Sequence, residues 1–384
     1  MTFPSGLRLF TIADIFGEIL MTGKKLCGRD MFREFSHENV PLIDGFIESY
    51  FSRKAADAEL PFMKELYSDI KEYCLRDGKR IRPILLINSY NGYCRGFRKT
   101  GEIIKLGAAV EIMHSFLLVQ DDIIDRAEMR RGGEALHILL GKRYSSLTTN
   151  PLIGTDIASV LADVMFSSAI DIICSAGLRD GIKTAFMKVF ARTYEKTAWG
   201  QILDSLNTMP VSIDCGSDAP MMISLMKTAW YTMVYPVMMG YVLSSGSGRK
   251  ELETIEEFGI PLGIAFQIRD DILGVFGVES DTGKPNDSDI LEGKFTLLVH
   301  NTMQKLDEAE LENFKSVLLS RSKSPDEVRF IRETIKSSGA LDETIGRHEK
   351  LLLEAEDKLD QLRIKKYSRE VLRGVIEAVG DIPV

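Results

Sequence analysis

The segment 101–125, GEIIKLGAAVEIMHSFLLVQDDIID, constrains this chain more than any other. Read as a helix it is apolar on nearly every face, which places it at the centre of a bundle, and it then ends in Asp121, Asp122 and Asp125. Such a helix carries charge to the edge of an apolar interior, where a carboxylate without a partner is costly. Three-and-four spacing of apolar residues recurs along the chain, and buried helices are expected over 153–173, 184–206, 221–243 and 257–273. Strict two-residue alternation is rare. The expected fold is therefore all-α, a large single-domain helical bundle around a central apolar cavity.

Glycine, proline and short polar residues gather at 91–96, 130–133, 148–151, 210–220 and 279–289, where they punctuate helices and do not divide domains. Ser324, Pro325 and Glu327 form a capping signature that predicts a helix over 325–337. The more charged last third reads as outer helices with one buried stripe. Residues 1–60 are expected to be an N-terminal helical extension with its packing unassigned, followed by the main helical domain, 61–384.

Charge and cysteine content narrow the function class. With 48 basic and 56 acidic side chains the net charge is −8, which disfavours a dedicated nucleic-acid partner but leaves room for a local pocket for a small anion. Cys27, Cys74, Cys94, Cys174 and Cys215 are widely spaced without a Cys-x-x-Cys pair, so a reducing, cytoplasmic location is expected. The run 231–243 is interrupted by Pro236 and Gly240 and is too short to cross a bilayer, so no transmembrane segment is expected. The N-terminal sequence lacks the pattern of a secretory signal.

A second acidic cluster, Asp270 and Asp271 in IAFQIRDDILG, lies about 150 residues beyond the first and also follows an apolar run. On a helix Asp121 and Asp125 are one turn apart, about 6 Å, and repel each other unless a cation sits between them. Magnesium suits such a site, because it takes oxygen ligands and is commonly held by one or two carboxylates while substrate phosphates complete the octahedron. No histidine pair has metal-binding spacing. Lys79, Arg80 and Arg82 in DGKRIRP, Arg130 and Arg131 in AEMRRGG, and Lys196, Lys284 and Lys294 answer the acids. Forked guanidinium donors and movable ammonium groups together suit a diphosphate.

At these residues the sequence resembles the trans-polyprenyl diphosphate synthases, the head-to-tail isoprenyl transferases of the isoprenoid synthase type. The motifs are GKRIRP at 78–83, EIMHSFLLVQDDIIDRAEMRRG at 111–132, EKTAWGQILD at 195–204 and FQIRDDILGVFG with GKPNDSDILEGK within 266–294. The resemblance implies that Asp121, Asp122, Asp125, Asp270 and Asp271 hold three magnesium ions on the diphosphate of an allylic substrate. Arg130, Lys196, Lys284 and Lys294 would grip that diphosphate, with Thr197 and Gln267 as polar neighbours. Lys79, Arg82, His114 and Arg131 would bind isopentenyl diphosphate. Dimethylallyl, geranyl or farnesyl diphosphate would be the allylic partner, and the resemblance further implies a two-fold homodimer. The apolar helices at 103–119 and 221–243 were expected to exceed what one helix layer covers.

The sequence departs from the resembled pattern at Gly274, where many relatives carry another aspartate, at Glu134 and at Ala162. A terpene cyclase would share the ionisation chemistry but has no use for the GKRIRP and RRG cations; a non-catalytic synthase subunit would be expected to have eroded aspartates. The resemblance also implies that the product grows past the positions upstream of Asp121 and that the side chains there set its length. Phe116 and Leu117 are expected to floor the growing chain, with Met113 one turn deeper. The twenty-carbon geranylgeranyl diphosphate is the first expectation, with fifteen-carbon farnesyl diphosphate as the alternative and a longer product less favoured.

Overall fold

The computed structural model describes residues 27–96, 98–207, 219–277, 287–320 and 322–383. Helix α1 (Gly28–Ala56) is followed by α2 (Pro61–Leu75), α3 (Ile81–Tyr93) and the central α4 (Thr100–Ile124). A short hairpin, β1 (Met129–Arg130) with β2 (Gly133–Glu134), leads into α5 (Leu136–Tyr144), α6 (Ile153–Ser175) and α7 (Asp180–Asn207). Helix α8 begins at Ala219–Ile223 and widens into a π-helical stretch, Ser224–Val234, which α9 (Tyr235–Leu243) continues. Then come α10 (Arg249–Phe276), α11 (Ser288–Glu292), α12 (Leu297–Met303), α13 (Glu308–Leu318), α14 (Pro325–Ser337), α15 (Ala340–Leu359) and α16 (Lys366–Val379).

Helix α4 is the hub, as its composition demands. Ile112 and Met113 are fully buried, and the helix is flanked by α1, α3, α6 and α7. The run around 221–243 is likewise covered within the protomer, with Met233, Val234, Val237 and Met239 fully buried. Neither helix therefore leaves an apolar surplus, contrary to expectation. The surplus lies on α6, whose length and apolar composition would suffice to cross a membrane although only 44% of its most apolar stretch is buried here. Its open side presents Val160 at 65% exposure, in a groove shared with Phe62.

Residue 60 does not separate two bodies. Helix α1 buries Ile43, Ile47 and Phe51 completely in the same core as α4. Its first turn is locked to α16: Arg29 donates from its backbone N–H to Glu377 Oε2 at 2.7 Å and from its guanidinium to the Glu377 carbonyl at 2.9 Å. The two helices touch at Gly28 and Gly374, where a Cβ on Gly374 would sit 2.0 Å from the Gly28 carbonyl oxygen.

Helix α14 starts where the capping signature placed it, with Ser324 accepting from the Glu327 N–H and Glu327 reaching back to the Ser324 N–H. The hairpin was not expected. Arg131 and Gly132 take φ of 49° and 76°, the left-handed pair that a two-residue turn of the I′ class requires to match strand twist.

Candidate active site

The two acidic clusters face each other across a cavity of about 440 Å³, walled by the end of α4, the π-helical stretch, the end of α10 and the segment around Lys294. Asp121, Asp270 and Asp271 line it, as do Lys79, Arg82 and Lys294. Lys284 lies outside the described residues.

Adjacent residues on a helix point about 100° apart, so the three acids of the first cluster cannot share one role. Asp121 faces the cavity, 3.2 Å from Arg130 Nη2 and 3.3 Å from Lys227 Nζ. Burial raises its pKa, but Lys227 and then Arg130 outweigh that and hold it below the usual value. Asp122 is fully buried behind it, accepting from Arg130 Nε at 2.6 Å and from the Tyr73 hydroxyl at 2.8 Å. It anchors Arg130 and does not line the cavity, a correction to its expected place among metal ligands. Asp125 closes the helix; burial first, and the charge of Asp121 second, raise its pKa to about 6.

In the second cluster Asp270 is exposed at the rim. Asp271 is buried and accepts from Gln267 Nε2 at 2.8 Å, and burial together with nearby Asp289 pushes its pKa well above the ordinary carboxylate range. Gly274 explains the shortened motif. A Cβ built there would lie 2.1 Å from Asp289 Oδ2, so a carboxylate arriving from α11 occupies the space that a side chain at 274 would need. Lys294 joins this group, 3.5 Å from Asp289 and 2.8 Å from Glu292.

The structure relocates one expected pair. The tetrapeptide KTAW occurs twice, at 196–199 and 227–230, and the family resemblance was carried by the first. Lys196 instead lies over the Trp230 ring with its Nζ 3.6 Å from the centroid, and Thr197 spends its hydroxyl on the Thr193 carbonyl one turn back. Lys227 and Thr228 take the cavity positions. Lys227 bridges Asp204 at 2.6 Å and Asp121 at 3.3 Å, and Thr228 bonds to Gln267 Oε1. Burial disfavours the Lys227 charge, yet the two aspartates hold its pKa above the lysine range. The π-helical widening carries Lys227 and Thr228, as wide turns often do at functional sites. Pro236 lacks the N–H that would continue the ladder beyond this stretch.

A second cationic group lies beside the first. Arg82 stacks 4.0 Å above the Tyr231 ring and donates to Thr232 Oγ1 at 2.7 Å. His114 Nε2 is 3.1 Å from Arg131 Nη2, and its Nδ1 is 2.6 Å from the Tyr231 hydroxyl. Burial and the surrounding arginines depress the His114 pKa well below its usual value, so the ring is neutral, accepting from Arg131 and donating to Tyr231. Among the described residues Arg82 Nε and Arg131 Nη1 are buried donors without a hydrogen-bond partner, with Arg131 Nη1 3.9 Å from Glu111 Oε1. Two orphan guanidinium donors side by side fit an arriving multi-oxygen anion. Arg80, by contrast, is structural, paired to Glu111 at 3.1 Å and Asp44 at 2.9 Å.

The sequence profile of the polyprenyl synthetase family matches residues 64–335. The chain belongs to the polyprenyl synthetase family. It is 30% identical over 337 residues to the geranylgeranyl diphosphate synthase of Sulfolobus acidocaldarius, covering 87% of this chain and 93% of that one. It is 32% identical over 241 residues to the short chain isoprenyl diphosphate synthase of Methanothermobacter thermautotrophicus, or 63% and 68% of the two chains. Among solved structures, a geranylgeranyl pyrophosphate synthase from Corynebacterium glutamicum complexed with isoprenyl diphosphate and magnesium superposes with a TM-score of 0.79. At 24% identity over 88% of this chain and 98% of that one, this likeness bears on the fold, which is the isoprenoid synthase bundle.

As a polyprenyl synthetase the chain is a magnesium-dependent prenyltransferase. The residues present fit the metal: the donors are hard oxygens, and Asp125 and Asp271 have raised pKa values that a cation would bring down. Among the described residues no three His, Cys, Asp or Glu side chains form a ready-made metal cage. Asp121, Asp125, Asp270 and Asp271 would thus each contribute one or two ligands, with phosphate oxygens and water supplying the rest.

Without metal, Asp125 opposes folding when ionised. Its folded pKa of about 6 exceeds the unfolded 3.8, so its penalty is full above pH 6 and disappears as pH falls towards 3.8. Asp125→Asn should raise the metal-free melting midpoint at pH 7.5 by about 1–3 °C. The gain should shrink to nothing near pH 4, as read by paired thermal melts in chelator.

Proposed function

We propose that this polyprenyl synthetase makes geranylgeranyl diphosphate, elongating dimethylallyl, geranyl or farnesyl diphosphate with isopentenyl diphosphate. The reading rests on one observation above all: two cation-lined anion positions adjoin each other, one at the facing aspartates and one at Arg82, His114 and Arg131. Three magnesium ions would draw electron density onto the leaving diphosphate. Arg130, Lys227 and Lys294 take up the same charge from the protein side. Lys79, Arg82 and Arg131 orient isopentenyl diphosphate so that its double bond attacks the allylic carbon as the carbon–oxygen bond breaks. The proton then lost goes to the released diphosphate. Apolar walls, Leu118 among them, keep water from the cation.

Product length is assigned to an aromatic floor wider than one residue. Phe116 packs against Phe166 of α6 at 5.2 Å and Tyr194 of α7 at 5.5 Å, centroid to centroid, and Phe166 meets Tyr194 at 5.0 Å. Met113 is fully buried in the same core, whereas Leu117 is only partly buried and Leu118 is the residue on the cavity wall. The name of the Sulfolobus acidocaldarius relative supports the twenty-carbon product; farnesyl diphosphate is the alternative. Phe116→Ala should shift the products of isopentenyl and dimethylallyl diphosphate to longer chains, read by chromatography at matched conversion. An unchanged distribution would remove Phe116 from the floor.

The homodimer belongs to the same reading, and the open face of α6 supports it as the contact. Phe62, Met63, Tyr144, Ile157, Val160 and Val164 line a chiefly apolar groove of about 650 Å³ there. A cytoplasmic location is part of the proposal.

A further inference from the structure

The helices that bring acids to the cavity begin on cations. Lys99 caps α4, which ends with Asp121 and Asp125; Arg179 precedes α7, which carries Asp204; Lys250 lies in the first turn of α10, which carries Asp270 and Asp271. At a rise of 1.5 Å per residue the cations and the acids on these helices are roughly 30–38 Å apart. The three cations converge with Arg95 and Arg363 on a separate cavity of about 580 Å³. They come from four different parts of the chain: the α3–α4, α7 and α10 starts, and the α15–α16 connection.

One carboxylate answers the five cations from within the cavity. The one carboxylate lining this cavity, Glu251, is buried and engaged by the Tyr93 hydroxyl at 2.6 Å and the Arg363 backbone N–H at 2.8 Å. The nearby acids are held elsewhere: Glu102 by Lys105, Asp180 by Lys183, and Glu253 by Arg249. Lys99 donates to the Gly177 carbonyl and Arg179 to the Ser245 hydroxyl, and the Lys99 charge also helps Lys105 to hold the Glu102 pKa down. Among the described residues none of the five cations is ion-paired to a carboxylate. All five side chains are exposed and border this cavity. Like charges gathered on a concave wall repel one another and focus an attractive field for an anion. Two lysines and three arginines supply the mixture of point and forked donors that suits several phosphate oxygens at once.

We infer that this cavity is a second anion site, distinct from the active site and at the opposite end of the same helices, taking a phosphate or diphosphate group as a free anion or as the head of a phosphate ester. The site goes beyond the prenyl transfer reading, and its test reads binding and not turnover. The full chain is titrated calorimetrically in chelator with inorganic diphosphate and, separately, with geranyl diphosphate, as wild type and as Arg179→Ala/Lys250→Ala. Wild type should show two classes of site, and the double variant should weaken one at least tenfold and leave the other unchanged. Loss in the inorganic arm alone identifies a free-anion site, loss in the geranyl arm alone an ester site, and loss in both shows that the head group suffices. Lys250→Met keeps the aliphatic stem and serves as the milder variant, and an unchanged circular dichroism spectrum and melting midpoint show that each variant is folded. Superimposable titrations of wild type and both variants would overturn the inference. So would vesicle sedimentation that is lost in the variants while neither small anion binds this end, since that outcome assigns the cations to a membrane surface.

Discussion

Asp121→Ala will lower turnover at least a thousandfold while leaving the helical circular dichroism spectrum unchanged. Asp121 alone among the first three acids faces the cavity and touches two cations there, Arg130 and Lys227. Its removal deletes an oxygen ligand and frees both cations to collapse on other acids. A thousandfold loss corresponds to about 4 kcal/mol of transition-state stabilisation, within what a displaced metal contributes. Asp122→Ala works by a different route. It strands Arg130 and Tyr73, so its damage should include a larger loss of stability, whereas Asp121→Ala removes a stabilised carboxylate but leaves Arg130 on Asp122 and Lys227 on Asp204, so its cost to the metal-free fold should be smaller.

The second large effect separates two identical tetrapeptides. Lys227→Ala should cut turnover about a hundredfold or more, and Lys196→Ala should stay within a few-fold of wild type, under saturating substrates and magnesium. The geometry behind this is direct: Lys227 Nζ lies between Asp204 and Asp121, and Lys196 Nζ lies over an indole ring. A large loss for Lys196→Ala with a small one for Lys227→Ala would restore the assignment that the family resemblance favoured.

These two residues also show what a sequence can and cannot reveal about such a site. The aspartates were legible because charge after an apolar run has few benign explanations, and the start of α14 was legible because a capping box is a local device completed within four residues. The choice between Lys196 and Lys227 was not local. Both sit mid-helix in the same four residues, and only the packing of the π-helical stretch against α10 turns one of them towards the acids. Asp122 was misplaced because a run of aspartates hides the angle between neighbours on a helix. Asp289 was overlooked as the group filling the space at Gly274, since nothing in the intervening residues signals that α11 folds back there. Helix α1 stayed undecided because Pro41 lies within it and its buried face is recognisable only against α16.

The central claim is that both diphosphates are required together: an allylic group leaves its diphosphate only to be captured by isopentenyl diphosphate. The most direct measurement follows released diphosphate and extracted prenyl product in the presence of magnesium, with isopentenyl and dimethylallyl diphosphate supplied together or singly. Prenyl transfer predicts equimolar diphosphate release and carbon–carbon bond formation with both substrates, neither with one alone, and loss of both on chelation. Equal release from dimethylallyl diphosphate alone, with no longer prenyl product, would contradict it.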